Sequence, residues 1–190
     1  MRLHAIRPLA VAALIALAVP ALADDKKMEM PKPPKELSQL SYFLGSWTCT
    51  GKAFATDMGP EHASEAHVSF AKALDGFWYL FHYDETKTAA NPMPYHAAGF
   101  WGYDTGDKLF VQRCHDNMSG YCQTTSKGWV GDVLTFEGPG SMGGQKMGMR
   151  DTFTKKSATE VVHAGAFQGP DGKWVNTDEE TCTKAAAKKK

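Results

Sequence analysis

Short strand-like segments separated by tight turns fill nearly all of the chain after residue 45, and they limit its fold more than any other feature. The segments are rich in β-branched and aromatic residues, and Gly, Asp, Asn and Pro cluster between them. We place about ten strands, at residues 46–55, 66–74, 77–83, 95–103, 108–115, 121–129, 133–137, 145–154, 160–168 and 173–183. Turns this short join neighbouring antiparallel strands.

A meander of this length exposes two sheet edges unless it closes on itself, and exposed edges pair with other chains. We therefore predict an all-β fold, namely a closed antiparallel up-and-down β-barrel of about ten strands. Closure would place the first strand beside the last. Along that last strand Trp174 and Cys182 are an even number of residues apart, so they should share a face.

The four cysteines, Cys49, Cys114, Cys122 and Cys182, form an even set that is typical of two disulfides in an exported protein. Three pairings are possible. The seven residues between Cys114 and Cys122 suit a bridge across a hairpin, which leaves Cys49 with Cys182. That second pair joins the first and last strands and so agrees with barrel closure.

Two loops carry further expectations. Cys114 and Cys122 can lie opposite each other only if the loop between paired residues has an odd length, so we predict an odd loop. We also predict a positive φ at Gly120, as in a turn followed by a bulge. The Gly-rich segment 138–144 predicts a flexible hairpin loop that could act as a lid over the barrel mouth.

The first 23 residues have the pattern of a signal peptide. Basic Arg2 and Arg7 precede an apolar run over 9–19, and Ala21-Leu22-Ala23 supplies the small residues of a cleavage site. The run is too short to span a bilayer, so we expect cleavage after Ala23, no membrane span, and a periplasmic or secreted protein. The predicted organisation is a signal peptide over 1–23, a disordered leader over 24–35, the barrel over 36–183 and a disordered Lys-rich tail over 184–190.

Charge and motifs narrow the function. Residues 24–183 hold 15 basic and 21 acidic side chains, and this acidic balance argues against nucleic acid as a partner, because phosphate binding needs a basic face. No hydrolase elbow, zinc-protease motif or phosphate-binding loop occurs in the sequence. We predict no metal site, because the loop around His62 fits no common ligand spacing and the methionines suit apolar packing.

A short helix over 36–44 leads through Gly45, which allows a sharp reversal, to Trp47, which can plug one end of the barrel. This start resembles that of calycin-type barrels: lipocalins, fatty-acid-binding proteins and nitrobindin-like haem barrels. It is most similar to uncharacterised bacterial exported proteins with a calycin-like barrel. Further motifs of that resemblance are Gly76-Phe77-Trp78, Gly102-Tyr103-Asp104, Asp116-Asn117-Met118 and Asp171-Gly172-Lys173.

The resemblance covers roughly residues 36–183 and implies a fold and a ligand cavity, but no reaction. Lipocalins commonly stack an Arg of the last strand on the plug Trp, and the end of this chain offers only Lys173 and Lys184. Nitrobindin-like barrels bind haem through one His, for which His163 in a late strand is the candidate here. We expect no cofactor and keep haem as the alternative.

We predict a binding protein for a small, mostly apolar molecule held in the lumen, with its oligomeric state left open. Alternatives are an enzyme that uses His82, His96 or Asp116 as acid-base groups, and a filled barrel without a ligand. Strand parity does not say which aromatic face points inward. The candidate pocket residues are Trp78, Phe81, Tyr95, Phe100, Trp101, Met147 and Met149, with His82 and His96 as polar contacts.

Overall fold

The computed structural model of this protein describes residues 29–57 and 59–186. The predictions for the signal peptide, its cleavage after Ala23, the leader up to residue 28 and the tail from residue 187 lie outside the described residues. Residues 29–34 of the predicted leader contain no helix or strand. A compact unit begins at Lys32.

Eleven strands and two short 3-10 helices make up the described chain. The strands are β1 (Gly45–Ala53), β2 (His62–Ala73), β3 (Trp78–Glu85), β4 (His96–Asp104), β5 (Leu109–Asp116), β6 (Tyr121–Ser126), β7 (Trp129–Val130), β8 (Val133–Met142), β9 (Gln145–Lys155), β10 (Glu160–Gln168) and β11 (Trp174–Lys184). The 3-10 helices are Lys35–Phe43, before β1, and Leu74–Gly76, between β2 and β3. Within these ranges no helix is long and apolar enough to cross a membrane.

The strands form a closed barrel. From β1 to β6 and again from β8 to β11 each strand pairs antiparallel with the next, β1 pairs with β11, and β6 pairs with β8. Ten strands therefore close the barrel, and the two-residue β7 lies outside it as an addition to β8. This confirms the predicted fold class. The strand expected over 121–129 is divided, because β6 ends at Ser126 and β7 begins only at Trp129.

The Gly-rich segment 138–144 is not the lid loop that the sequence suggested. β8 continues to Met142 and pairs with β9 along its whole length, so only Gly143 and Gly144 form the turn. On its other side β8 meets β6, with Cys122 opposite Gly140 and Thr125 opposite Glu137. The ladder to β6 is interrupted around Pro139, which has no backbone N–H to donate. The segment is a strand because closing the barrel requires it between β6 and β9.

The N-terminal helix covers one end of the barrel. It is a 3-10 helix rather than an α-helix, and its buried residues Leu37, Leu40 and Phe43 recur every third position, which matches three residues per turn. Gly45 has a φ of 111°, as the predicted reversal requires. Trp47 is 2% exposed, and its Nε1 donates a hydrogen bond to the Phe43 carbonyl at 2.7 Å. Trp47 and the helix are therefore packed together as a plug.

Lys184 takes the position over Trp47 that the resemblance to lipocalins assigns to an arginine. Its Nζ lies 5.0 Å from the centre of the Trp47 ring and donates to the Tyr42 carbonyl at 2.8 Å. Burial lowers the pKa of this ammonium group. Lys184 is the last residue of β11 and so belongs to the barrel, not to the tail in which the sequence analysis placed it.

Both predicted disulfides are present. Cys49 pairs with Cys182 across β1 and β11, and Cys114 pairs with Cys122 across β5 and β6. The Cα separations are 3.9 Å and 4.9 Å, within disulfide reach. The first bridge therefore links the two strands that close the barrel, as predicted.

The β5–β6 hairpin has the predicted odd loop, but its left-handed residue is Ser119 and not Gly120. The Asp116 N–H donates to the Gly120 carbonyl, which leaves the three residues 117–119 as the loop, and the third of these has a φ of 63°. Gly120 serves another purpose. A Cβ there would lie 2.7 Å from the Ser141 carbonyl oxygen, so the residue permits close approach of β8 rather than a turn.

We expect Trp47→Ala to lower the free energy of unfolding by about 3–5 kcal/mol, the usual loss for truncating a large buried aromatic residue. The matched control is Phe100→Ala, because Phe100 is 37% exposed on the barrel wall and should cost under about 1 kcal/mol. Urea unfolding of both variants measures the two values. Equal losses would contradict the plug.

The two disulfides should differ in their stabilising effect. They join residues 133 and 8 positions apart, so the chain-entropy relation gives about 5 kcal/mol for Cys49–Cys182 and about 2.5 kcal/mol for Cys114–Cys122. Urea unfolding of the double variants Cys49→Ala/Cys182→Ala and Cys114→Ala/Cys122→Ala compares the bridges directly. Since all four side chains are buried, packing losses are similar in the two variants, and a reversed order would contradict the entropic account.

Candidate functional site

An aromatic layer fills the lumen at the helix-covered end. Trp101, which is 1% exposed, lies at its centre. The rings of Phe43, Phe70, Phe136 and Phe153 surround it with centroid separations between 4.8 and 5.2 Å. Rings at these distances leave little room between them, so this layer forms a floor.

A cavity of about 540 Å³ occupies the lumen and has this floor among its walls. At the other end of the barrel its lining comes from loops and strand ends, where apolar side chains dominate. Phe54, Met93, Met118, Met142 and Phe167 line this rim. Polar side chains are concentrated between floor and rim, on β9, β10 and β11 and on the strands that face them.

Four of the nine predicted pocket residues line the cavity: Phe81, Tyr95, Trp101 and Met149. As ligand contacts they remain a prediction. The other five do not line it, and four of them lie on the outer face, because successive strand residues alternate between faces. Trp78 and Phe100 pack against each other outside at 6.4 Å, while His82 is exposed on the outer face.

His96 and Met147 complete that set. The His96 side chain is 43% exposed, and its Nδ1 lies 3.1 Å from Asp84 Oδ1, so it belongs to a surface ion pair. Met147 shares the parity of Met149 but lies two residues nearer to the β8–β9 turn, and it does not line the cavity. The outer faces of β3 and β4 also carry large aromatic residues, Trp78 and Phe100, which is why sequence parity alone left the choice open.

His163, at the centre of β10, is held between two carboxylates. Its Nε2 lies 3.0 Å from Asp151 Oδ1 on β9, and its Nδ1 lies 3.2 Å from Asp178 Oδ2 on β11. Its ring also stacks on Phe153 at 4.8 Å. Burial opposes the charged form, but the two carboxylates outweigh burial and hold the pKa of His163 well above its usual value. The imidazole is therefore a cation, and each of its two nitrogens is paired with a carboxylate.

Asp178 points into the lumen directly beside a β-bulge. Between Gly165 and Ala166 of β10 the pairing shifts from Asp178 to Asn176, which leaves Thr177 as an extra residue on β11. Thr177 Oγ1 donates to Asp178 Oδ1 at 2.7 Å. A side chain at Gly165 would collide with the Asp178 carboxylate, so only glycine leaves this space. Burial alone would raise the pKa of Asp178. The positive charge of His163 and the hydrogen bonds from His163, Thr177 and the Gly165 N–H have the larger effect, so the pKa lies below its usual value.

The bulge also corrects the expected orientation of Trp174. Its ring stacks under the Arg150 guanidinium at 3.8 Å on the outer face, where Arg150 also pairs with Glu137 at 2.8 Å. Cys182 points into the lumen, so the two residues do not share a face. The extra residue Thr177 breaks the two-residue alternation between them.

Glu180 is the most deeply buried acid of the site, with 1% of its surface exposed. Ser64 Oγ and the Tyr83 hydroxyl, at 2.9 Å, donate hydrogen bonds to its Oε1. Its Oε2 is buried and has no partner among the described residues. Burial raises the pKa of Glu180, since the charged form lacks full compensation. Burial and the nearby Glu180 likewise raise the pKa of Tyr83 far above the usual tyrosine range.

Gln112 and Glu85 extend the polar region across the lumen. Gln112 Nε2 donates to Asp151 Oδ2 at 3.1 Å, while its buried Oε1 has no partner among the described residues. Nearer the rim, Glu85 Oε2 accepts a bond of 2.8 Å from the Tyr95 N–H, and its Oε1 lies 3.4 Å from His62 Nε2. The polar region thus reaches from the centre of the barrel to its open end.

Sequence analysis missed the central polar residues, Ser64, Tyr83, Gln112, Asp151, Asp178 and Glu180, and considered His163 only for haem. One signal was available. Asp178 and Glu180 share the parity of Cys182, which bridges to Cys49, so an inward-pointing disulfide implies two inward-pointing acids. The bulge and the partners on β9 and β10 had no recognisable local pattern.

The nitrobindin-like alternative can be tested against these contacts. Nitrogens and oxygens of His163, Asp178 and Glu180 lie within 4.8 Å of one another, which is a suitable spacing for a metal ion. A histidine that binds iron or another metal must offer a neutral nitrogen. Both nitrogens of His163 are engaged by carboxylates. The residues as arranged do not fit haem iron, and we derive no chemistry through it.

His163→Gln should be less stable than the parent protein by about 3–5 kcal/mol, the usual loss on breaking a buried ion pair. Because the folded state raises the pKa of His163, the stabilisation from its charge is complete below the unfolded pKa of about 6.5 and is lost as pH rises through the raised folded value. In urea unfolding, the difference in the free energy of unfolding between parent and variant should therefore decrease as the pH is raised from about 5 to about 9. The exposed His82→Gln is the control, and the same trend there would contradict the prediction.

One solved structure supports this fold. The barrel is similar to the crystal structure of Rv2717c from M. tuberculosis, with a TM-score of 0.61 and 13% identity over 82% of this chain and 100% of that one. A redesigned β-barrel gives a TM-score of 0.40 and 15% identity, over 77% of this chain and 94% of that chain. No curated protein matches in sequence. Residues 32–184 match the family model described as a protein of unknown function, so the chain belongs to the DUF1579 family.

Proposed function

We propose that this protein binds a small, mostly apolar molecule inside its barrel. The observation that carries the proposal is the cavity of about 540 Å³ with its mostly apolar lining and its convergent polar side chains. Binding sites for small molecules typically measure about 300–1,000 Å³ and combine an apolar wall with a few placed polar groups. The proposal treats the barrel as calycin-like, as the helix, Gly45 and Trp47 suggest.

The contrast between the two ends of the lumen supports a ligand over a filled core. At the helix end the Trp101 layer is packed ring against ring. Beyond it, buried oxygens of Gln112 and Glu180 have no partner among the described residues. Leaving a buried polar atom without a hydrogen bond costs about 1–3 kcal/mol, and a bound molecule that supplies donors would recover this loss.

The disulfides support export. Cys49–Cys182 and Cys114–Cys122 would persist in an oxidising compartment such as the periplasm or the extracellular space. The predicted signal peptide over 1–23 is consistent with either location. We include a periplasmic or secreted site of action in the proposal.

The proposal assigns no reaction and no cofactor to the lumen. Of the acid-base groups that the sequence suggested, His82 and His96 lie on the outer face. Asp116 Oδ1 accepts hydrogen bonds from the N–H groups of Met118 and Gly120 in the β5–β6 turn. The lumen histidine, His163, is a clamped cation and has no free nitrogen with which to accept a proton.

Binding can be tested with the neutral dye N-phenyl-1-naphthylamine, whose fluorescence rises and shifts to the blue in an apolar site. We expect saturable binding to the parent protein, and Ala97→Phe should weaken it by about tenfold or more, because residue 97 lines the cavity and the larger ring would occupy it. The control is Ala98→Phe, which adds the same side chain to the outer face of β4. Its binding should equal that of the parent.

Two results would contradict the proposal. The first is the absence of saturable dye binding to a parent protein whose circular dichroism shows a folded barrel. The second is equal weakening by Ala97→Phe and Ala98→Phe, since the dye would then lie outside the lumen.

A further inference from the structure

The polar side chains of the lumen leave two hydrogen-bond acceptors open. Glu180 and Gln112 are 1% and 5% exposed, both line the cavity, and Glu180 Oε2 and Gln112 Oε1 have no partner among the described residues. The unpartnered donors that line the cavity are Trp101 Nε1 in the aromatic floor, where Trp101 is opposite Gln112 in the β4–β5 ladder, and Asn91 Nδ2 in the β3–β4 loop. At the level of His163 the cavity therefore offers acceptors that lack donors.

The polar region from the level of His163 to the rim carries an excess of negative charge. The carboxylates that line the cavity are Glu85, Asp151, Asp178 and Glu180. Among the basic residues of the lining, Arg150 pairs outward with Glu137, while the His163 ring is shared between Asp151 and Asp178. His62 lies beside Glu85 at the rim. His163 lies within 4.8 Å of Glu180 but compensates it only in part, because its two nitrogens pair with Asp151 and Asp178. The hydrogen-bond partners of Glu180 are the uncharged hydroxyls of Ser64 and Tyr83.

We propose that the ligand is an amphipathic amine: an apolar body with one protonated primary or secondary amino group, which donates to Glu180 Oε2 and Gln112 Oε1. This inference rests on the proposed function, because it names the chemical class of the molecule that binds in the lumen. A protonated amine supplies both the missing donors and the missing positive charge. The aromatic walls favour the same group, because ring faces attract cations.

The arrangement also orients the molecule. The Trp101 layer closes the lumen beneath the polar level, so the apolar body extends the other way, toward the rim lined by Phe54, Met93, Met118 and Phe167. Burial raises the pKa of the Glu180 carboxyl, because its charged form is not fully stabilised by the groups around it. A positive group bound beside it would stabilise that charged form. A ligand with a carboxylate head would meet like charges from Glu180 and Asp178, so the site selects against fatty acids.

Displacement of N-phenyl-1-naphthylamine by three ligands of equal chain length tests the head group. Decylamine, decanol and decanoate are titrated below their aggregation concentrations at neutral pH. We expect decylamine to displace the dye at a concentration at least about tenfold lower than decanol, as a charge-assisted hydrogen bond allows, with decanoate the weakest. Equal potency of the three, or a preference for decanoate or decanol, overturns this inference while dye binding upholds the proposed function. Absence of dye binding overturns both.

The variant Glu180→Gln tests the residue, with Glu179→Gln as its matched control. Glu179 is exposed on the same strand, so both variants lose one carboxylate and keep the side-chain shape. Within each variant the preference is the ratio of the concentrations at which decylamine and decanol displace the dye; Glu180→Gln should bring this ratio close to one, while Glu179→Gln keeps the preference of the parent protein. If both variants keep it, Glu180 is not the recognition group and the inference is wrong. Should Glu180→Gln fail to fold, the ligand series on the parent protein decides.

Discussion

The ladder between β1 and β11 is the contact on which the rest of this structure depends. It joins residues from opposite ends of the domain, and Cys49 faces Cys182 within it. Closing the sheet here removes both edges and creates an interior, so every strand acquires an inner and an outer face. Because the bridge lies inside, the ladder also fixes Glu180 as inward-facing, two residues along the same strand.

The interior that results is divided by polarity. An aromatic layer around Trp101 supplies the packed core, while Asp151, His163, Asp178 and Glu180 lie beyond it with several of their oxygens and nitrogens hydrogen-bonded. Burying such charges costs free energy that their mutual attraction recovers only in part. This costly arrangement beside an open cavity is the feature on which the proposal of a binding site rests.

Sequence reasoning succeeded where one physical requirement left few solutions. Short turns and an even set of cysteines required neighbouring antiparallel strands and closure, and Gly45 with Trp47 marked the plugged end. It failed where two faces of a strand looked alike. Trp78 and Phe100 are as apolar as Phe81 and Trp101, yet the first two pack together outside and the last two inside. Only the register of the complete barrel separates them.

The beginning of β11 could not be derived for a different reason, the bulge at Thr177. One extra residue on β11 turns Trp174 to the outer face, where Arg150 stacks on it, while Asp178 keeps the inward face of Glu180 and Cys182 and pairs with His163. Strict alternation of faces would have predicted the same side for Trp174 and Asp178. The space for the Asp178 carboxylate depends in turn on the absence of a side chain at Gly165 on the neighbouring strand. The hydrogen bond from Thr177 to Asp178 and the outward turn of Trp174 therefore depend on a local departure from regular pairing, which residue spacing alone does not encode.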